Sequence, residues 1–225
     1  FEYLRYREDG TPAAGTFDGW PDTVAAVTMI DPCGGSGHFL VAAFEMFVEV
    51  GYERTSIRAI AEKIEYSPAT IYLYYKDKDE LLYDVQREAF DLLAKSFAPL
   101  AEIRHPFERL RALGLTYLDF AFSNPQYYDL MFILTAPMNV IKENMLWENG
   151  CNAYEFLLTT VADCIEEKCI RYADANLGAL QAWSMVHGLA SIYLKNRFMV
   201  MEISHEEAAE GMRQAFHEYL HHIRA

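Results

Sequence analysis

The sequence predicts an all-α fold, and three observations carry that reading. Apolar residues recur at helical spacing from about position 39 to the C-terminus, and the runs break at prolines and near Asn149-Gly150. After Gly37 there is no convincing buried strand. The expected helices lie at 39–51, 56–64, 68–74, 78–97, 106–123, 125–134, 138–168, 174–199 and 205–223. In the second of these, Ile57, Ile60, Ala61 and Ile64 fall at the i, i+3, i+4, i+7 spacing of one apolar stripe. Glu65 and Tyr66 intervene, and then Ser67 is placed to cap a third helix with its hydroxyl. Pro68 suits the first helical position, where its fixed φ helps and its missing N–H costs nothing. Within that helix Ile71 turns inward against Ile60 and Ile64. Ala69, Thr70, Leu73 and Tyr74 then point outward, with Tyr72 at the flank. From Asp77 onward the pattern is helical, with ends or starts at Pro99, Pro106, Pro125 and Pro137. The penultimate helix carries Leu180, Trp183, His187, Ala190 and Leu194 on one stripe, and the last carries Ala208, Ala209, Met212, Ala215, Phe216, Tyr219, Leu220 and Ile223. Two such helices from each protomer suit a four-helix interface about a two-fold axis.

Composition narrows the function classes. With 225 residues, 52% of them apolar, the chain has ample material for a core. No run approaches the roughly 18 apolar residues that span a bilayer. The charged start FEYLRYREDG is unlike a signal peptide, so a soluble, cytoplasmic protein with no membrane partner is expected. Cys33, Cys151, Cys164 and Cys169 are scattered without a CxxC pair, so reduced thiols are the default and neither a zinc site nor a disulfide framework is suggested. A net charge of -14 argues against non-specific coating of nucleic acid, because Lys and Arg supply most phosphate affinity. From Tyr52 to Lys78 the balance turns slightly positive, with Arg54, Arg58, Lys63, Lys76 and Lys78 against Glu53, Glu62, Glu65 and Asp77. Two helices joined by a tight turn are the arrangement that presents one helix to a DNA groove.

The strings AFEMFVEVGYERTSIRAIAEKI and SPATIYLYYKDKDELL resemble the TetR (tetracycline repressor) family through its first three helices and into the fourth. The resemblance implies that Tyr72, Tyr74, Lys76 and Lys78 hold phosphates, and that Ser67, Pro68, Ala69 and Thr70 lie along the major groove. It also implies that Thr55, Ser56 and Arg58 dock the preceding helix on the backbone. The family usually carries Gly where Glu65 stands, and a non-Gly residue held at φ > 0 there costs on the order of 1 kcal/mol. A basic arm usually precedes the first helix, whereas residues 1–50 here hold only Arg5 and Arg7 against eight carboxylates; weak or strongly salt-sensitive DNA binding is expected. AWSMVHGLA, residues 182–190, is close to a Trp-x-x-x-His-Gly pattern in one branch of the family's C-terminal domains, which extends the resemblance over about 40–222.

Residues 24–40, VAAVTMIDPCGGSGHFL, resemble the S-adenosylmethionine-binding loop of N6-adenine DNA methyltransferases, DPxxGSG. That resemblance implies Asp31 and the glycines as cofactor-lining groups. Asn124-Pro125-Gln126-Tyr127 lacks the second proline of the tetrapeptide those enzymes use, and one strand cannot build their sheet. Residues 1–37 are therefore read as a methyltransferase-like leader joined to a regulator, with Phe1 taken as the mark of a trimmed or joined product. The remaining expected units are 38–84, a helix-turn-helix DNA-binding domain, and 85–225, a helical effector-binding and dimerisation domain.

Tyr117, Phe120, Tyr128, Met131, Phe132, Tyr154, Trp183 and His187 are candidates for an apolar pocket between helices, although each also fits ordinary core packing. No Ser/His/Asp arrangement, metal-ligand cluster or Walker loop occurs, so no catalytic residue, cofactor or metal is expected. The leading expectation is a homodimeric transcriptional repressor that binds a pseudo-palindromic double-stranded operator and responds to a partly apolar small molecule. The alternatives are an adenine-specific DNA methyltransferase or a fragment of one, and an interaction module whose helix-turn-helix has lost DNA binding.

Overall fold

A computed structural model of the chain describes residues 34–134 and 148–225. Residues 1–33, with Asp31 and most of the methyltransferase-like segment, and the predicted helical stretch 138–147 lie outside the described residues. The chain divides into two compact units, Phe1–His38 and Phe39–Ala225. The helices in chain order are α1 (Gly34–Glu49), α2 (Ile57–Lys63), α3 (Pro68–Ile71), α4 (Lys78–Phe97), α5 (Pro106–Ser123), α6 (Pro125–Tyr128), α7 (Glu148–Glu166), α8 (Ala175–Leu194) and α9 (His205–Ile223). Among the described residues the only β-type pairing is an isolated bridge between Ile170 and Arg224, so the all-α expectation holds.

Where local chemistry marks a helix end, the boundaries coincide with those expected. The Asp77 carboxylate accepts from Glu80 N–H at 3.0 Å to start α4, and Pro106 occupies the first turn of α5. Ser204 and Glu207 form a reciprocal capping box at the start of α9. Elsewhere the helices differ from expectation. α1 begins at Gly34, so Gly34–Gly37 are helical. α3 stops at Ile71, because the following bonds tighten to i→i+3, with Leu73 N–H to Thr70 O at 3.3 Å and Tyr74 N–H to Ile71 O at 2.9 Å. α6 runs on as a π-helical turn, Asp129–Ile133. α8 ends at Leu194 because Asn196 adopts a left-handed φ of 54°, after which Arg197–Met201 form a 3₁₀ turn.

Two buried clusters organise the described helices. Phe39, Ala43, Ile57, Ile60, Ile71, Leu81 and Leu82 form one; Phe90, Leu93, Leu110, Leu118, Tyr128, Val161, Ala190, Phe216 and Leu220 belong to the other. Each fully buried Leu, Ile or Phe contributes roughly 1.5–3 kcal/mol, so both clusters are strong enough to fix the elements that surround them. α4 serves both, with Leu81, Leu82 and Val85 at its start and Ala89, Phe90, Leu93 and Phe97 further on. The π-helical turn does the same within five residues: Leu130 enters the first cluster and Met131 the second.

The apolar stripe of α9 points inward. Ala208, Met212, Phe216, Leu220 and Ile223 are all buried within the protomer, as is Ala190 of α8. The α9 stripe therefore holds the fold and is not free for a partner, which corrects that part of the face expected to pair. On α8, Leu180 of the expected stripe is exposed, as are Leu177 and Ile192.

Candidate nucleic-acid interface and apolar cavity

α2 closes with a Schellman turn, in which Tyr66 N–H donates to Ala61 O at 2.9 Å and Glu65 N–H donates to Glu62 O at 3.2 Å. This geometry requires a left-handed residue, and Glu65 supplies it at φ 58°. Ser67 then caps α3, its hydroxyl accepting from Ala69 N–H at 3.3 Å, with Pro68 in the first turn. Ile71 is fully buried against the first cluster. Anchoring on Ile71 forces the other side of this short helix outward, and Tyr72, Leu73 and Tyr74 are 55%, 82% and 55% exposed. Tyr74 leans edge-on against Phe39 with ring centroids 5.6 Å apart, which fixes its ring direction without burying it. Ser67 and Ala69 are exposed, Pro68 and Thr70 partly so. Ser56 caps α2 by accepting from Ala59 N–H at 3.1 Å, and Arg58 is exposed beside it. The Lys76 side chain is 87% exposed, and its ammonium lies 3.8 Å from Asp77.

Two residues expected on this surface also bond within the fold. Thr55 is only 3% exposed, and its hydroxyl is within bonding range of two carbonyls, Gly51 O at 2.8 Å and Met46 O at 3.1 Å. It shapes the α1–α2 turn. Lys78 donates to Tyr52 O at 2.9 Å and sits 4.1 Å above the Tyr52 ring, while the Tyr52 hydroxyl donates to Asp79. Burial and the Asp79 carboxylate push the Tyr52 phenol well above its ordinary pKa, so that hydroxyl stays a donor. This knot ties the end of α1 to the start of α4, and Lys78 is part of it.

The strain at Glu65 gives a direct expectation. Glu65→Gly removes about 1 kcal/mol of left-handed strain, partly offset by the greater freedom of Gly in the unfolded chain. A melting temperature raised by up to about 2–4 °C is expected in calorimetry. A lower melting temperature would show that the turn is not strained.

Between α4, α5, α7, α8 and α9 lies a cavity of about 280 Å³. Its wall includes Tyr117, Phe132, Tyr154 and Trp183 from the sequence expectation, together with Leu113 and Phe216, which the sequence reading assigned to the core or left unmarked. Among the described residues no charged side chain lines it. Phe120, Tyr128 and Met131 belong to the surrounding buried cluster and do not line the space. His187 stands just behind the wall. Its Nδ1 is 3.0 Å from the Tyr117 hydroxyl and 3.1 Å from that of Tyr128, and the Tyr128 hydroxyl also donates to His187 O at 3.1 Å. With the Tyr128 proton on the carbonyl, Nδ1 and the Tyr117 hydroxyl share one bond whose direction is set by the ring tautomer. Burial lowers the His187 pKa, so the imidazole is neutral at pH 7. Burial also raises both tyrosines well above their ordinary range.

The wall and the helix-turn-helix share one element. Phe132, on the cavity, belongs to the π-helical turn whose Leu130 enters the first cluster. Gln86 of α4, 1% exposed, donates to Leu130 O at 3.3 Å and to Met131 O at 2.9 Å. Helices of this kind with an i→i+5 turn are concentrated at functional sites.

This architecture matches known proteins over most of its length. Residues 39–85 match the bacterial regulatory proteins of the tetR family, and residues 110–216 match the tetracyclin repressor-like C-terminal domain. The HTH-type transcriptional regulator HbdR of Aromatoleum sp. (strain CIB) is 36% identical over 70 residues, which is 31% of each chain. The HTH-type transcriptional activator FasR of Mycolicibacterium smegmatis is 32% identical over 97 residues, 43% of this chain and 44% of its own. The chain thus spans less than half the length of these two relatives. Among solved structures, the fatty acid degradation regulator FadR from Bacillus halodurans shares the fold at a TM-score of 0.64 and 15% identity, over 80% of this chain and 93% of that one. The two family matches take in well over half of the sequence and meet the helix-turn-helix and the cavity-bearing bundle in turn; the chain belongs to the TetR family of bacterial regulatory proteins.

Proposed function

We propose that this chain is a homodimeric, cytoplasmic transcriptional repressor that binds a pseudo-palindromic operator and is released by a neutral, largely apolar effector, and that it acts by binding and not by catalysis. The observation that carries this reading is the outward surface of the turn that closes α3, where Tyr72, Leu73 and Tyr74 stay exposed beside the buried Ile71. Exposed aromatic hydroxyls and an unburied Lys76 suit phosphate and base-edge contacts. In this reading residues 38–84 form the DNA-binding domain and 85–225 the effector and dimer domain. Two copies pair through the outer faces of α8 and α9, where Leu177, Leu180 and Ile192 are exposed and Gly188 and Gly211 have open space around them.

The cavity sets the effector class. Among the described lining residues a carboxylate or ammonium meets no opposite charge and suffers a large desolvation penalty, whereas an apolar body gains about 25 cal/mol per Å² buried. An occupant touching Phe132 biases the π-helical turn, and Leu130 and α4 carry that bias into the cluster that seats α3. Release follows if the occupied form holds the two α3 helices away from the roughly 34–36 Å spacing of successive major grooves.

The test is a titration of operator DNA with the Tyr72→Ala/Lys76→Ala double variant. Affinity is expected to fall about tenfold or more, with the salt slope reduced by about one for the lost Lys contact and thermal stability unchanged. Unchanged affinity in the folded variant would remove this face from the interface.

A further inference from the structure

α7 ends in a second Schellman turn, separate from the cavity and from α3. Cys169 N–H donates to Cys164 O at 3.0 Å, Lys168 N–H donates to Ile165 O at 3.0 Å, and Lys168 holds a left-handed φ of 54°. In this motif the residues joined by the outer bond bring their side chains together, normally as an apolar contact. Here both are cysteines. The Cys169 thiol lies 3.3 Å from the Cys164 carbonyl oxygen, so it folds back over the helix end toward its partner. Cys164 is fully buried and Cys169 partly exposed.

We propose that Cys164 and Cys169 are a redox modification site that closes to a reversible disulfide when the protein meets a peroxide. The difference in burial sets the order. The Cys169 thiolate attacks a peroxide oxygen, the O–O bond breaks, and the leaving hydroxide takes a proton to become water, leaving Cys169 as a sulfenic acid. The Cys164 thiol then gives up its proton as its sulfur attacks the Cys169 sulfur, and the displaced hydroxide departs with that proton as a second water. Two thiols are oxidised, one peroxide is reduced, and no further reagent enters. Burial and the neighbouring Cys169 thiol raise the Cys164 pKa, which keeps Cys164 protonated and unreactive until the sulfenic acid forms beside it.

The crosslink would act where three segments are stitched together. Cys169 O accepts from Ala225 N–H at 3.2 Å, Ile170 bridges to Arg224, and Arg171 N–H donates to Ile223 O at 2.8 Å. A disulfide therefore fastens the end of α7 to the strap that holds the C-terminal end of α9. The site does not depend on the DNA or effector reading.

The full chain is treated with hydrogen peroxide, alkylated, and digested with trypsin without reduction. Cleavage after Lys168 separates the two cysteines, so the expected product is the 143–168 peptide joined to 169–171, abolished by dithiothreitol. The link should persist in Cys151→Ser, since that peptide also holds Cys151, and disappear in Cys164→Ala, with Cys169 passing on to sulfinic acid. Full alkylation of both thiols after peroxide, sulfinic acid at Cys169 in the unsubstituted chain, or loss of the link in Cys151→Ser would each overturn the proposal.

Discussion

Gln86→Glu is expected to destabilise the protein by about 3–5 kcal/mol at pH 7, the cost of setting a buried negative charge against two carbonyl oxygens. The substitution keeps the shape of the side chain and removes the donor. Gln86 is almost wholly buried and gives its amide protons to Leu130 O and Met131 O, whereas an ionised carboxylate at the same place is acceptor-only and faces two carbonyl oxygens. The protonated acid can donate again, so the folded pKa of the new carboxyl is raised above the unfolded value of about 4.3. The penalty is therefore absent below that pH, grows as pH rises through it, and is complete above the folded pKa. Urea denaturation at pH 7 and pH 5 should show the gap to the unsubstituted protein narrowing on acidification. Gln86→Leu serves as the comparison, with a loss of about 1–3 kcal/mol that does not change with pH. A Glu variant whose deficit is equal at both pH values would show that the amide does not hold the π-helical turn. The same substitution loosens the segment that carries Phe132 and Leu130, so effector response should weaken before operator affinity does.

Gly114→Ala is expected to close the cavity. A Cβ at this position would lie 2.0 Å from Cζ of the Phe216 ring, far inside contact distance. Ala regains about 1 kcal/mol of helix propensity over Gly, whereas overpacking a core typically costs about 1–3 kcal/mol, so the steric effect outweighs the propensity gain. Phe216 lines the cavity, and the open space gives its ring a direction in which to yield. The stability loss should therefore stay within about 2 kcal/mol, while the ring occupies space the ligand needs. With N-phenyl-1-naphthylamine as a neutral aromatic probe, fluorescence titration should show binding weakened by about tenfold or more, roughly 1.4 kcal/mol. Unchanged probe affinity in a folded variant would place the binding site elsewhere.

Much of the fold is legible in the sequence because its signals are local. Pro106 and the Ser67-Pro68 pair fix their helix starts within one turn, and the stripe on α9 declares a buried face. What the stripe does not declare is which neighbour buries it. Ala208, Met212 and Phe216 look equally suited to a partner protomer and to the chain's own core, and the packing of α5 and α8 against α9 decides. The candidate site divides in the same way. The outward residues of α3 follow from one inward isoleucine, so Tyr72 and Tyr74 are found by spacing. The bonds that Thr55 and Lys78 make within the fold are not legible, because their partners, Gly51 and Tyr52, act through backbone carbonyls that leave no trace in side-chain pattern. The cavity is the space left where five helices fail to fill their common centre. Leu113 and Phe216 therefore carry no mark that separates lining from core, and Phe120 and Met131 were credited with a role that only position could assign.

The central claim is that the exposed face of α3, displayed twice by a symmetric dimer, reads DNA. Selection of bound sequences from random duplex DNA at low salt tests it most directly. Enrichment of a pseudo-palindrome with half-site centres about one helical turn or a whole multiple apart, lost in the Tyr72→Ala/Lys76→Ala variant, is the predicted result. Failure to enrich any palindrome, or equal enrichment by the folded double variant, would contradict it.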